Sequence, residues 1–208
     1  MKIIFVTGAP GSGKTFVANY ICELMRAEGS VAQIGADFIR DILRVNISAN
    51  DEPALHASSL KAGECAPIDA VDKAAWGYMQ QAKVVINKGI VPVVMRAIEE
   101  DRNIVIEGVN CVPSLLNEKF ADLQGDGIEI LTIVIGIDSK ETHLRYLEKQ
   151  GDVDVVNKMG NIELIRHMQA FLIMDGQSVG CYICDGDDIL DKVKNIVRAE
   201  FSCAVKVK

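Results

Sequence analysis

Gly8, four residues, then Gly13, Lys14 and Thr15 spell G-x-x-x-x-G-K-[ST] near the start of a 208-residue chain. Each residue type has a use in holding phosphate. Glycines let the backbone turn sharply, so that successive N–H groups point into one concavity. A following helix adds the partial positive charge of its N-terminus. Lys14 supplies a cation for β- and γ-phosphates, and the Thr15 hydroxyl can bind Mg²⁺. The expectation is an ATP site built from Gly8, Ala9, Pro10, Gly11, Ser12, Gly13, Lys14 and Thr15.

A second set stands in "GADFIRDILR". Asp37, Arg40 and Arg44 are spaced three and four apart, which puts them near one helical face. A carboxylate beside a γ-phosphate can orient an attacking hydroxyl or take its proton. Arg40 and Arg44, one turn apart, can fork onto an anion of an acceptor. An N-capping Asp with two solvated arginines is the alternative. A third candidate is Glu107, ending an apolar run; an uncompensated carboxylate there would be costly, which favours a metal-linked role.

Those residues need elements to hold them. Residues 3–6 are a short apolar run of strand formers, and residues 16–25 carry apolar side chains at helical spacing. Strand, Gly-rich loop and helix is the context that the phosphate motif requires. Further strands are expected at 31–35, 103–106, 129–137 and 179–184. Helices are expected from 37, then at 69–88, 91–102, 112–120, 139–149, 162–174 and 187–201. Residues 46–68 read as an irregular acceptor-side insertion and 150–160 as a polar lid loop. Strands alternating with helices predict a single α/β domain with a five-stranded parallel sheet and helices on both faces. Ligands in such sheets sit beyond the carboxyl ends of the strands. That rule selects the Gly8 loop, Asp37, Glu107 to Asn110, Asp138 and Asp185. His143 and His167 read as helical packing residues, and Trp76 and Tyr78 as anchors of the insertion's helix.

Composition narrows the class. Hydrophobic residues at 49% and charged residues at 25% are ordinary for a globular domain. A net charge of −7 provides no footprint for nucleic acid or an anionic membrane. The N-terminal apolar run flows straight into the phosphate loop, unlike a signal peptide, and no run is long enough to span a bilayer. Cys22, Cys65, Cys111, Cys181, Cys184 and Cys203 are expected as free thiols in a cytoplasmic protein. Cys181 and Cys184 form a C-x-x-C, but in a strand they face opposite sides, and no second pair completes a zinc site. A GTPase would carry N-K-x-D; Asn87-Lys88-Gly89-Ile90 and Asn157-Lys158-Met159-Gly160 both lack the Asp. A compact chain with an insertion and a lid suits small-molecule kinases, which must keep water from the transferring group. A nucleotide-binding switch without catalysis is the competing class. A homodimer is left open.

The chain also resembles the 2-phosphoglycerate kinase-like family of P-loop small-molecule kinases. The resemblance rests on "GAPGSGKT", "DFIRDILR", "EPALHASSLKAG", "VVMRAIEEDRNIVIEGVNCVPSLL", "DSKETHLRYLEK" and "NIELIRHMQAFLI", in family order over about residues 3–175. It implies a nucleoside-monophosphate-kinase-like fold with an acceptor flap and a lid. It also implies ATP- and Mg²⁺-dependent phosphorylation of a hydroxyl on a small phosphorylated acid. By the same resemblance Arg40, Arg44, His56, Ser58 and Ser59 line the acceptor pocket, with Glu107 near the metal or acceptor. Asn110 stands on the acceptor side, and Arg145, Lys149 and Arg166 border the lid. Three positions depart from the family pattern. Asn110 replaces a His, Leu60 an aromatic residue and Lys149 an Arg. The first two touch the acceptor side. They keep open a second acceptor, that of a divergent relative, mevalonate-3-phosphate 5-kinase.

Overall fold

The structure is a computed structural model that describes residues 1–26, 29–125, 127–150, 154–186 and 188–202. Cys203, Asp187 and residues 151–153 of the expected lid lie outside the described residues.

Five parallel strands form one sheet in the order β2-β3-β1-β4-β5. They are β1 (Lys2–Gly8), β2 (Val31–Gly35), β3 (Asn103–Glu107), β4 (Glu129–Ile135) and β5 (Tyr182–Cys184). Side chains alternate across a strand, and the core divides accordingly. Ile3, Phe5, Ile104 and Ile106 face one layer. Ile4, Val6, Val105, Ile133 and Ile135 face the other, where α1 (Lys14–Arg26) and α10 (Ile189–Ser202) pack. The first layer receives α2 (Ala36–Asn46), α4 (Lys73–Val85), α5 (Val91–Glu99), α6 (Pro113–Phe120) and α9 (Ile162–Ser178). Between them in sequence stand α3 (Pro53–His56), α7 (Lys140–Gln150) and α8 (Val155–Gly160). The expected α/β class and sheet are present.

Several boundaries moved for local reasons. Helix α4 starts at Lys73, not 69, because the Asp72 side chain accepts from the Ala75 N–H at 2.9 Å and caps it. The expected helices 69–88 and 91–102 are one helical run, joined by a π-helical turn at Ile86–Ile90. Pro92 has no N–H for the Lys88 carbonyl, and the ladder widens there. Gly89 in this turn allows Ile39 of α2 to approach; a Cβ would meet Ile39 Cγ2 at 2.2 Å. Residues 46–68 hold α3 and a 3-10 turn at Ala62–Cys65 rather than being wholly irregular. In the expected lid loop 150–160, residues Val155–Gly160 are helical. Val155 and Met159, four apart, rest against Leu147 and Ile165 of α7 and α9 and anchor that turn. Helix α9 runs on to Ser178, which shortens β5 to Tyr182–Cys184. Cys181 packs on one layer of the core and Cys184 on the other, so the C-x-x-C is split across the sheet. The described cysteines are unbridged. No helix among the described residues is long and apolar enough to cross a membrane.

Candidate active site

Parallel register brings the strand ends together. Val6 and Gly35 both pair with Glu107, and Gly8 pairs with Ile135. The phosphate loop therefore rises between β3 and β4, with Asp37 and Glu107 on its β2–β3 side. Two of its glycines are dictated by contact. A Cβ on Gly8 would meet Ser12 Oγ at 2.4 Å and the Ile135 carbonyl at 2.7 Å. Gly11 has φ +80°, and a Cβ there would meet Leu147 Cδ2 at 2.6 Å.

Lys14 is half-buried, with Nζ 3.5 Å from the Ala9 carbonyl. Burial lowers its pKa, while the carboxylates of Glu107 and Asp37 favour its charged form. Thr15 Oγ1 donates to Glu107 Oε1 at 3.1 Å. Burial raises the Glu107 pKa, against the opposing pull of Lys14 and the Thr15 hydrogen bond. A hydroxyl and a desolvated carboxylate side by side are hard oxygen donors, the set that suits Mg²⁺ arriving with nucleotide phosphates.

Two cavities meet at the loop. One, of about 420 Å³, is walled by Phe16, Tyr146, Lys149, Ile189 and Leu190 beside Gly11 to Gly13. Its apolar walls and proximity to the loop suit a nucleobase and ribose. The other, of about 360 Å³, opens on the far side of Lys14 and Thr15. Asp37, Arg40, Ser58, Ser59, Leu60 and Lys158 border it. Asp37 is 55% exposed and pairs with Arg40 Nη2 at 3.4 Å. Arg40 is 14% exposed and donates through Nη1 to Ser59 Oγ at 3.1 Å. Arg40, Ser58 and Ser59 thus stand at one cavity with Lys14 and Asp37.

Other expected site residues are engaged elsewhere. Arg44 donates to the carbonyls of Leu55 at 2.8 Å and Ala57 at 2.6 Å, and to Asp41 at 3.1 Å. It clamps the α3 segment to α2 and does not border the cavity at Asp37 and Arg40, so the expected Arg40–Arg44 anion fork is not formed. His56 Nε2 donates to the Ile47 carbonyl at 2.8 Å and ties the same segment. Arg166 caps the end of β4, donating to the carbonyls of Ile137 at 3.1 Å and Asp138 at 3.0 Å. Arg145 lies against the Tyr146 ring at 5.8 Å. Asn110 is fully buried and is not part of the cavity wall. Asp185 pairs with Lys192 at 3.4 Å.

Three contributors were missed in the sequence. His143 is buried beneath the phosphate loop and donates through Nε2 to the Pro10 carbonyl at 2.7 Å. Burial lowers its pKa, which favours the neutral ring. Tyr78 donates to the Val109 carbonyl and fixes the loop after β3. Lys158 brings a charge from α8 to the cavity that Asp37 and Arg40 border, close enough to Lys14 to lower its pKa. Asp154, at the N-cap of α8, and Lys158, four residues on, both border this cavity; that spacing was the available signal.

The Glu107 carboxylate is expected to cost stability in the nucleotide-free protein. Its native pKa is raised, so the native state binds more protons than the unfolded chain between the ordinary carboxylate value and the raised one. Stability falls as pH rises through that window. Glu107→Gln keeps an acceptor for Thr15 and removes the charge. It should melt higher than wild type at pH 7, with the gain vanishing at acid pH, where both side chains are neutral. A lower melting temperature at pH 7, read by circular dichroism, would contradict this.

Comparison with known proteins agrees with this geometry. The family model described as Zeta toxin matches residues 2–70. The chain is 24% identical to a 2-phosphoglycerate kinase of Methanocaldococcus jannaschii, over 99% of this chain and 66% of that protein, a little under two thirds of its length. It is 27% identical to a mevalonate-3-phosphate 5-kinase of Thermoplasma acidophilum, over 88% of this chain and 89% of that one. Among solved structures, a shikimate kinase of Acinetobacter baumannii in complex with shikimate superposes with a TM-score of 0.54 at 15% identity, covering 99% of this chain and 95% of that one. The similarity to 2-phosphoglycerate kinases read from the motifs is thereby borne out, and the fold is that of P-loop kinases.

Proposed function

We propose that the chain is an ATP-dependent kinase that phosphorylates a hydroxyl of a small phosphorylated carboxylic acid, with 2-phosphoglycerate as first acceptor. The observation that carries this reading is one cavity holding Lys14, Asp37, Arg40 and Lys158 at the mouth of the phosphate loop. The acceptor hydroxyl oxygen bonds to the γ-phosphorus, the bond from that phosphorus to ADP breaks, and the hydroxyl proton passes to the Asp37 carboxylate. Lys14 stays with the charge that develops on the transferring group. Arg40, fixed by Asp37 and Ser59, holds an anion of the acceptor. Thr15 and Glu107 would hold Mg²⁺, which supplies charge to the β- and γ-phosphate oxygens.

A second acceptor has its own support. Leu60 and Val109 give the cavity an apolar wall, which suits the extra methyl and methylene groups of mevalonate 3-phosphate, the substrate named for the Thermoplasma relative. Both compounds join a carboxylate, a phosphate and a primary hydroxyl.

The test is ADP release with each acid in turn. Acceptor-dependent release supports the kinase; ATP binding without turnover returns the switch. Asp37→Asn keeps the shape and removes the proton acceptor, and should lower kcat roughly 10²-fold with little change in ATP binding. A fully active Asp37→Asn protein would reduce that residue to a partner of Arg40.

A further inference from the structure

Gln81 lies midway along α4, fully buried and outside the cavity wall. A buried amide is costly unless its donors and acceptor are all met. Here they are. Ser59 Oγ donates to Gln81 Oε1 at 2.7 Å. Gln81 Nε2 donates to the carbonyls of Ala54 at 2.8 Å and Ala57 at 2.9 Å. The direction of this chain is set at both ends. Arg40 can only donate to Ser59, so the serine's single proton goes to Gln81. Carbonyls can only accept, so the amide NH₂ must face α3. A flipped amide would break both ends at once.

The same carbonyl, that of Ala57, takes Arg44 Nη2 from the α2 side. Gln81 and Arg44 therefore grip the flap from two helices, but only Gln81 reaches the cavity, through Ser59 to Arg40. The buried neighbours of Gln81 on α4, Tyr78, Ala82 and Val85, belong to the apolar core. An apolar residue would pack there without the demand for partners.

We propose that Gln81 is a positioning residue for acceptor recognition: one buried amide sets both the Ser59–Arg40 donor pair inside the cavity and the α3 flap that walls it. The proposal rests on the reading that the acceptor's anion binds at Arg40.

Four single variants and one double variant separate the possibilities, assayed with 2-phosphoglycerate, or with mevalonate 3-phosphate where that is the acid turned over. Gln81→Met keeps the size and removes all three hydrogen bonds. It should raise the acceptor KM about tenfold, leave the ATP KM within about twofold, and speed amide exchange across residues 54–60. Ser59→Ala should give the same KM split, and the double variant should be no worse than Gln81→Met, since both cut one chain. Gln81→Glu turns lone pairs toward the Ala54 and Ala57 carbonyls and should exceed the Met variant in both readouts. An unchanged acceptor KM in Gln81→Met, an equal rise in the ATP KM, or full additivity with Ser59→Ala would overturn the positioning role. Arg40→Met tells the two failures apart. If it leaves the acceptor KM untouched, the acceptor reading itself is wrong. If it raises that KM while Gln81→Met does not, only the role of Gln81 falls. Should Gln81→Met fail to fold, Gln81→Glu carries the test: an acceptor KM equal to that of wild type in that variant would overturn the role of Gln81.

Discussion

Lys14→Ala is expected to lower kcat by about 10²- to 10³-fold with the fold intact. The ammonium sits half-buried at the end of the loop, with the Ala9 carbonyl 3.5 Å away. Burial disfavours its charge, and Glu107 and Asp37 offset that cost. It is thus held, partly desolvated, where phosphate charge would develop. A cation in such a place contributes more to a transition state than to a ground state, because few waters screen it. The protein core does not depend on it: the loop is held by Gly8 against Ile135, by the Ser12 N–H bonded to the Ala9 carbonyl at 3.1 Å, and by His143 on Pro10. The variant should therefore melt near wild type or above it. Turnover at saturating ATP and a thermal melt check both halves. Wild-type turnover would remove the phosphate-loop assignment.

Acceptors with only one anion, or none, should be used roughly 10³-fold less well in kcat/KM than the phosphorylated acids. Arg40 and Lys158 border the acceptor cavity in addition to Lys14. Arg40 is 14% exposed. Arg40 already pairs with Asp37 at 3.4 Å, so a neutral alcohol does not strand a bare charge; it forgoes the charge-assisted hydrogen bonds that an acceptor anion makes to the guanidinium. A doubly anionic acid makes those bonds. The assay is a competition between 2-phosphoglycerate and mevalonate 3-phosphate, with glycerol, glycerate and mevalonate as controls. Comparable rates for glycerol would end the double-anion account. Turnover of mevalonate 3-phosphate with none of 2-phosphoglycerate would reverse the order of acceptors and leave the mechanism standing. The cations in this prediction differ from those expected of the helix alone. Arg44 was to share the anion with Arg40, but its donors are taken by Leu55, Ala57 and Asp41.

What could be read from the chain alone was local in origin. The motif from Gly8 to Thr15 needs only its own backbone, the strand before it and the helix after it, all within consecutive residues. Asp37 and Glu107 were legible because each follows an apolar strand, and parallel strands deliver their carboxyl ends to one edge. The alternation of strand-like and helix-like segments already implied a sheet covered on both faces, and Ile3 with Phe5 and Ile4 with Val6 fill the two sides. Element boundaries were less legible because a few atoms decide them: the Asp72 cap, the missing N–H of Pro92, and the Val155–Met159 pair that folds a polar segment into helix.

The tertiary structure alone decided which polar side chains are available to a ligand. Arg44, His56 and Arg166 have the right chemistry to bind anions, and nothing in their spacing says otherwise. Each instead meets a backbone carbonyl brought from 9 to 29 positions away. His143 works the opposite way: it reads as packing, yet it supports Pro10 from 133 positions away. Gln81 is a mid-helix amide with no motif around it, and its partners stand 22 to 27 positions back along the chain. A sequence specifies a side chain's donors and acceptors, but whether a carbonyl or a substrate uses them depends on which groups the fold brings within about 3 Å.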